Sequence, residues 1–298
     1  MGLFLIVVIF ALILFVFAHI AAYAIRWVEE GKWAGDKRSI TEAPLSDGLH
    51  ILAELLCSFI ILSLSILDLI LSLRNFHWRR KKPASAPPPS AAPSAPAAAT
   101  PDTAAPAGRP IVLLHGAGMR GLSMAPLARK LRAEGRTVFS FTYWPPGMPF
   151  AAYARQLSDY LDSIGKERGF TEFDAVGHSA GGVILRRFLA AHNDPRRIVR
   201  IVTLGAPHGG SELWRFAPSE LGLQLRPGGP FLERLDEGGL PPGMEATAIA
   251  GDFDQFVIPN AYARWESPGV SNHTIQNAGH ARLIFHPETL RIIRQALS

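Results

Sequence analysis

Ser179 has the setting that most clearly suggests chemistry, because it lies in the pentapeptide Gly177-His178-Ser179-Ala180-Gly181. Residues 171–176 before it predict a buried strand, and residues 182–191 after it have the apolar spacing of a helix. A serine on such a strand-to-helix turn is held in a strained conformation that lifts its hydroxyl clear of the sheet. The flanking glycines are needed because a Cβ would collide where strand and helix pass closely. The pattern predicts a nucleophile for acyl transfer; the alternative is a Gly-rich turn with a capping serine.

A nucleophilic serine needs a base that takes its proton and a carboxylate that orients the base. In open α/β sheets with a serine on this kind of turn, the acid and then the histidine follow the serine along the chain. Asp252 and Asp254 both come just after a strand predicted at 246–250. We favour Asp254 because it precedes the apolar stretch 257–259, whose turn can aim a carboxylate inward. Either aspartate could instead cap the next turn.

His280 is the candidate base among ten histidines. It follows the last predicted strand, 273–276, and precedes a helix predicted at 287–297, which is where the base of such a sheet is expected. Gly279 would let its loop approach the serine closely. His178 lies beside the nucleophile and cannot readily fold back to accept its proton.

The loop after the first predicted strand, His115-Gly116-Ala117-Gly118, can help to stabilise an oxyanion. Backbone N–H groups from this loop and from the residue after the nucleophile can converge on one point. We therefore assign Ala117 and Ala180 to an oxyanion hole. The alternative for the loop is a plain strand-to-helix turn.

Strands and helices alternate along the part of the chain that must position these residues. Other strands are predicted at 111–114, 137–143 and 198–204, and other helices at 121–134 and 150–168. The alternation predicts fold class α/β, with a mostly parallel sheet and helices on both faces. Ligands of such sheets bind outside the carboxyl ends of the strands, where each candidate residue should lie.

The 188 residues from Ile111 resemble α/β-hydrolase serine lipases and esterases, especially bacterial triacylglycerol lipases. The motifs that carry the resemblance are, in order, His115-Gly116-Ala117-Gly118, residues 177–182, Leu204-Gly205-Ala206-Pro207-His208-Gly209-Gly210-Ser211, residues 254–259, and Gly279-His280 followed by Leu283. The resemblance implies an α/β-hydrolase catalytic domain over 109–298 and a small lid at about 212–240. Apolar residues of the lid could form an acyl pocket or belong to the core. The resemblance also implies that His208 lies near the site but is not the base. The substrate contacts that we expect are His115, Gly116, His178, His208, Trp214 and Phe216.

Two long apolar segments precede this domain. Residues 3–25 carry no charge and, at about 1.5 Å per residue, can cross a bilayer of roughly 30 Å; a cleaved signal peptide is the alternative. Residues 49–73 are a second predicted transmembrane helix. Its polar residues fall on one narrow helical face, which we call the polar seam: Glu54, Ser58, Ser65, Asp68 and Ser72. Because polar groups in lipid are costly, we expect the seam to pack against another helix, with an ion or proton path as the alternative.

Charges around the two segments predict their orientation. The loop at 27–48 contains more acidic than basic residues, whereas the second segment is followed by Arg74, Arg79, Arg80, Lys81 and Lys82. An excess of basic residues marks the cytoplasmic side. We therefore expect a two-helix transmembrane hairpin over residues 1–82 of a multi-pass protein of the bacterial inner membrane, with the catalytic domain on the cytoplasmic side. The polar seam would also permit self-association.

Composition limits the remaining possibilities. Residues 83–108 are nearly all Pro, Ala, Ser and Thr, which predicts a disordered, semi-stiff linker. Cys57 is the only cysteine of the 298 residues, so an intramolecular disulfide is ruled out. The net charge of +5 is spread along the chain or clustered beside an apolar segment, which argues against a nucleic-acid partner. No acidic cluster has convincing metal-ligand spacing, so we expect neither a catalytic metal nor a cofactor; a structural calcium ion is the alternative that stays open.

The combined expectation is a membrane-anchored serine hydrolase that cleaves carboxylic esters, in particular those of lipids, through Ser179, His280 and Asp254. Three related activities use the same catalytic residues and stay open: a thioesterase, an amidase or an acyltransferase. A binding module of the same fold without catalysis is the alternative from another class.

Overall fold

Six parallel strands form one sheet in the order β2-β1-β3-β4-β5-β6. The computed structural model describes residues 18–26, 44–80, 108–191 and 197–298, and gives only the backbone for 44–47 and 74–80. The strands are β1 (Ile111–Leu114), β2 (Val138–Phe141), β3 (Phe173–His178), β4 (Ile198–Leu204), β5 (Glu245–Gly251) and β6 (Val270–Ile275).

Eight helices accompany the sheet within the described residues. They are α1 (residues 18–26), α2 (Pro44–Arg80), α3 (Ala125–Ala133), α4 (Phe150–Arg168), α5 (Ala180–Ala191), α6 (Glu220–Gln224), α7 (Pro230–Gly238) and α8 (Pro287–Ala296). Short 3₁₀ helices form at Gly121–Met124, Glu212–Phe216, Asn260–Ala263 and Arg282–Ile284. The order of strands and helices confirms the predicted α/β class and the parallel sheet.

The core lies on both faces of the sheet. All four residues of β1 are fully buried, as expected for a central parallel strand covered on both sides. Val112 and Leu114 pack with α4 and α5 on one face. Ile111 and Leu113 pack with α3 and α8 on the other, because successive side chains of a strand point to opposite faces.

Several predicted elements have the bounds expected from the sequence, and the differences have local causes. The predicted helix at 121–134 is divided into the 3₁₀ helix Gly121–Met124 and the α-helix α3. Pro126 lies in the first turn of α3, the part of an α-helix that tolerates a residue without an N–H. The strand predicted at 171–176 is shifted to Phe173–His178, so it runs up to the residue before Ser179.

The second apolar segment lies within α2, which is longer than predicted. Its stretch Gly48–Leu73 is the one helix in the described part of the chain that is long and apolar enough to cross a membrane. Of the first predicted segment, residues 18–26 are helical and the others lie outside the described residues. The two-helix hairpin therefore stays a prediction, as do the polar loop and the linker, which fall almost wholly outside those residues.

Within the described residues, the polar seam of α2 contacts the α/β domain. Asp68 accepts a hydrogen bond from the Leu122 backbone N–H at 3.3 Å and lies 3.6 Å from the Arg120 guanidinium. The Ser65 hydroxyl accepts a hydrogen bond from the Arg120 N–H at 3.2 Å. Packing of the seam against another helix stays a prediction, because most of the first apolar segment lies outside the described residues. Helical spacing indicates that a polar face needs a partner but does not identify the partner.

Candidate active site

Ser179 lies on a tight turn between β3 and α5. Its φ of 55° is in the left-handed region, which a residue with a side chain rarely adopts. A Cβ at Gly177 would lie 2.6 Å from backbone atoms of α5, and one at Gly181 would lie 2.7 Å from the Leu114 carbonyl oxygen. Both glycines are therefore required by close packing, as the sequence predicted, and the turn holds Ser179 at the carboxyl end of β3.

Asp254 and His280 are brought together by the loops that follow β5 and β6. The His280 Nδ1 lies 2.7 Å from Asp254 Oδ2, and Asp254 is fully buried. The other oxygen, Oδ1, accepts hydrogen bonds from the backbone N–H groups of Phe256 (2.8 Å) and Val257 (2.9 Å). The turn before the apolar stretch thus holds the carboxylate toward the imidazole.

Asp252 has a different role in the same loop. Its Oδ1 accepts a hydrogen bond from the Ala278 N–H at 3.2 Å, which ties the loop after β5 to the loop after β6. Burial raises the pKa of this carboxyl, against the hydrogen bonds that lower it. Of the two aspartates that the sequence offered, Asp254 is therefore the one that contacts His280.

The surroundings of His280 act on its pKa in opposite directions. Burial of the imidazole lowers its pKa, but the Asp254 carboxylate and, more weakly, Glu54 outweigh that effect, so the pKa is raised above its ordinary value. Gly205, after β4, makes room for the pair: a Cβ there would lie 2.9 Å from Asp254 Oδ2 and 3.0 Å from His280 Nδ1. His280 is thus oriented through Nδ1, which leaves its Nε2 for proton exchange.

Ser179 and His280 line one cavity of about 300 Å³. Among the described residues, no hydrogen bond joins Ser179 Oγ to His280; contacts of this kind are often longer when no substrate is bound. Most of the cavity wall is apolar. Ala117 and Gly116 of the predicted oxyanion loop are part of the wall, and Ala180 begins α5 directly after Ser179.

His178 supports the backbone of the candidate base. Its Nε2 lies 3.1 Å from the His280 carbonyl oxygen, and the two rings are 4.7 Å apart. Burial, together with the nearby His280, lowers the pKa of His178 to about 3, so the ring is neutral and donates this hydrogen bond. His178 also lines the cavity, where a substrate contact was predicted.

His115 and His208 lie behind the cavity wall instead of on it. The ring of His115 stacks on Tyr143 at 4.0 Å, and burial lowers its pKa to about 4. Burial and then Arg186 hold the pKa of His208 well below its ordinary value; its Nε2 lies 2.9 Å from the Thr203 hydroxyl. These two residues were predicted to contact the substrate. In the structure they do not reach the cavity surface, because both side chains are buried and pack against neighbouring side chains.

The predicted lid, residues 212–240, contributes both to the cavity and to the core. Trp214 lines the cavity, whereas Phe216, two residues later on the same 3₁₀ turn, is 68% exposed. Phe216 therefore does not line the cavity, and its predicted substrate contact stays a prediction. Other lid residues of the cavity wall are Leu213, Leu221 and Leu225. Leu232 and Leu235 belong to the core, so part of the predicted lid is core and part lines the cavity. An acyl pocket in this cavity stays a prediction.

Several residues around the site were missed by the sequence analysis because they come from the apolar helices. His19, Ser58 and Ile61 line the cavity. Glu54 contacts the loop that carries His280: a Cβ on Gly279 would lie 2.5 Å from the Glu54 carboxyl carbon. Gly279 was expected to permit approach to the serine, and in the structure it permits approach to Glu54. The polar seam was the available signal, but it did not identify this partner.

Within the described ranges, no group of three or more histidine, cysteine, aspartate or glutamate side chains is arranged to hold a metal ion.

Comparison with known proteins agrees with this architecture. Residues 111–255 match the family described as "Alpha/beta hydrolase family". The chain is similar to a solved lipase, BlEst2 of Bacillus licheniformis in its mature form, with a TM-score of 0.57 and 20% identity over 66% of this chain and 95% of that one. It is also similar to a monoacylglycerol lipase of Paleococcus ferrophilus, with a TM-score of 0.51 and 17% identity over 64% of this chain and 95% of that one.

A third similar structure is lipase B of Aspergillus fumigatus, with a TM-score of 0.58 and 16% identity over 64% of this chain and 52% of that one. Comparison with curated protein sequences finds no match. At these identities the structural similarity shows the fold alone. The described domain has the α/β-hydrolase fold, and the family match supports a hydrolase.

Proposed function

We propose that the protein is a serine hydrolase that cleaves carboxylic esters through an acyl-enzyme intermediate, with Ser179 as nucleophile, His280 as base and Asp254 as acid. The observation that carries the proposal is the 2.7 Å contact between Asp254 and the Nδ1 of His280, beside the same cavity that holds Ser179 on its strained turn. This is the set of groups that acyl transfer by a serine needs.

In the proposed reaction, the Ser179 hydroxyl oxygen attacks the ester carbonyl carbon while His280 Nε2 takes its proton. Asp254 stabilises the imidazolium through Nδ1. The backbone N–H groups of Ala117 and Ala180 would bind the negative oxygen of the tetrahedral intermediate. His280 then gives the proton to the leaving alcohol, which leaves an acyl group on Ser179. Water, activated by His280, attacks this acyl group and releases the acid.

The chemistry of the cavity supports lipid esters as the substrate class. Its wall includes Trp214, Leu221 and Phe256, which suit an aliphatic acyl chain. Two of the similar structures named above are a lipase and a monoacylglycerol lipase. We therefore propose esters with one long acyl chain in the cavity as preferred substrates.

We also propose that the apolar helices bind the protein to a membrane, with the catalytic domain on the cytoplasmic side. The face of α2 opposite the seam exposes a row of large apolar side chains: Leu49, Leu52, Leu56, Phe59, Ile66, Ile70 and Leu73. Exposed rows of this kind favour contact with lipid. The basic residues after Leu73 favour the anionic cytoplasmic leaflet.

The contacts of the seam limit how α2 can lie in the membrane. The seam contacts the domain from Glu54 to Ser72, a helix length of about 27 Å. That length is close to the roughly 30 Å of a hydrocarbon core, so an upright α2 could keep these contacts only if polar loops of the domain entered the lipid. We therefore propose that docked α2 lies along the membrane surface. Because the predicted segment 3–25 would by itself retain the protein in the membrane, the test uses a variant without residues 3–25. Extraction of this variant by alkaline carbonate would support the arrangement, and its full retention would contradict it.

A fluorophosphonate probe tests the proposed catalysis. Membranes that contain the wild-type protein should label at Ser179, and the Ser179→Ala variant should not label. Absence of labelling in the wild type, or equal labelling of the variant, would refute a serine hydrolase. A series of p-nitrophenyl esters then tests the substrate class, and a preference for acetate over chains of eight carbons or more would contradict the lipid proposal.

A further inference from the structure

Glu54 is a buried carboxylate on α2, a helix whose opposite face exposes large apolar side chains. It is fully buried (0% exposed), whereas Leu52 and Leu56 on the same helix are about 60% exposed. Burial of a carboxylate is costly unless its oxygen atoms accept hydrogen bonds. Its position in the polar seam therefore requires donors on the catalytic domain, and these donors surround the candidate base.

The first donors are backbone N–H groups directly after His280. The Ala281 N–H donates to Glu54 Oε1 at 2.6 Å, and the Arg282 N–H donates to Oε2 at 2.9 Å. These groups belong to the start of the 3₁₀ helix Arg282–Ile284, where N–H groups have no partner within the helix. Glu54 therefore caps this turn from another element and fixes the chain one residue after His280.

The second connection leads to the candidate acid. The Gln255 side-chain amide donates to Glu54 Oε1 at 3.0 Å, and Gln255 directly follows Asp254. The carbonyl oxygen of the same amide accepts a hydrogen bond from the His280 backbone N–H at 3.3 Å. Glu54 thus forms hydrogen bonds with Gln255, which follows Asp254, and with Ala281, which follows His280. Asp254 and His280 lie on two different loops.

We propose that Glu54 is a positioning residue for the Asp254–His280 pair, so that docking of α2 completes the active site. The proposal rests on the function proposed above. A carboxylate that holds both loops maintains the 2.7 Å contact between acid and base, whereas its removal leaves buried N–H groups without an acceptor. The apolar helix would then be part of the catalytic machinery as well as an anchor.

The charge of Glu54 should also be detectable at His280, because this carboxylate is one of the groups that raise the imidazole pKa. Charged or titratable groups from every element around the pair must be considered in such a measurement. They are Asp252 and Asp254 after β5, His178 at the end of β3, Arg282 after β6, His19, Tyr23 and Arg26 of α1, and His50 and Cys57 of α2. Substitution of Glu54 alone leaves all of these in place.

The test compares Glu54→Gln with Asp68→Asn in the full-length protein. Asp68 is a matched control: it belongs to the same seam and also binds the domain, but lies about 21 Å further along α2. We expect Glu54→Gln to lower kcat on the order of a hundredfold, as for misplaced catalytic groups, with little change in KM. The kcat and KM of Asp68→Asn should stay near the wild-type values. Equal losses would show that Glu54 only helps to dock the helix, and would overturn the proposal.

Glu54→Asp separates the charge from the geometry, and also serves if Glu54→Gln fails to fold. It keeps the charge but shortens the side chain by one methylene. We expect a reduced kcat with the acid limb of the pH profile unchanged, whereas Glu54→Gln should lower kcat and move that limb to lower pH. Wild-type kcat in Glu54→Asp would contradict the positioning role.

An NMR titration of the His280 imidazole distinguishes failure of this proposal from failure of the proposed function. If the wild type does not react with fluorophosphonate, the hydrolase proposal fails, but the titration still applies. Glu54→Gln should lower the His280 pKa, and Asp68→Asn should not. If Ser179 labels as expected but neither titration nor kcat responds to Glu54, only the positioning proposal is overturned.

Discussion

The two buried carboxylates beside His280, Asp254 and Glu54, come from different regions of the molecule and support it in different ways. Asp254 follows β5 of the hydrolase sheet and contacts the imidazole itself at Nδ1. Glu54 comes from α2, outside the sheet, and contacts the backbone after His280. In the proposed mechanism the first region supplies the catalytic groups, and in the role proposed for Glu54 the second region holds their loops. The comparison teaches that, if both proposals hold, a site with all of its catalytic groups still depends on an element outside its domain.

The largest expected effect is a loss of kcat that differs between variants of the two aspartates of the hydrolase region. Asp254→Asn should lower kcat on the order of 10⁴-fold, because an amide can no longer hold His280 in the right tautomer. Asp252→Asn weakens hydrogen bonds from Ala278 and Asn277 between two loops, each worth about 1 kcal/mol, and does not touch His280, so its loss should be about tenfold or less. Steady-state kinetics on a soluble ester measures both. A larger loss in Asp252→Asn would reverse the assignment of the acid.

The next effect tests whether α2 stays docked during turnover. A Cβ at Gly279 would lie 2.5 Å from the Glu54 carboxyl group, so Gly279→Ala should displace Glu54 and lower kcat by about tenfold to a hundredfold. In a Glu54→Ala background the same substitution should cost much less, because the clash is removed. Gly48→Ala is the control on α2, since a Cβ there meets nothing within 4 Å. Additive losses in the double variant would mean that the two residues do not touch in the working enzyme.

A third effect ranks the two carboxylates by their influence on the His280 charge. The base must be neutral, so activity falls as the pH drops through the His280 pKa. Because that pKa is raised, the acid limb of kcat/KM should lie above the ordinary value of 6.5. Asp254→Asn should lower the pKa more than Glu54→Gln, since Asp254 is in direct contact. An NMR titration of each variant measures the order, and the reverse order would contradict the comparison.

The same division explains what the sequence could predict. The hydrolase region follows local rules: an apolar run predicts Ile111–Leu114 as a strand, helical spacing predicts Phe150–Arg168, and chain order favours Asp254 and His280. These local rules do not predict the direction of a side chain on a short turn. They could not tell that Trp214 faces the cavity while Phe216 faces solvent. The role proposed for Glu54 depends on contacts between residues more than 200 positions apart, which no periodicity reveals.

The smallest effect compares one apolar cavity residue from each region. Trp214 comes from the hydrolase domain and Ile61 from α2, and both line the cavity beside Ser179. Each change to alanine should alter the ratio of kcat/KM for long over short acyl chains by about tenfold, as expected for lost methylene contacts. Ile60→Ala is the matched control, because the Ile60 side chain is partly exposed and lies outside the cavity. If Trp214→Ala changed the ratio and Ile61→Ala did not, α2 would be undocked when substrate binds. The dependence of the site on α2 would then be limited to the resting protein.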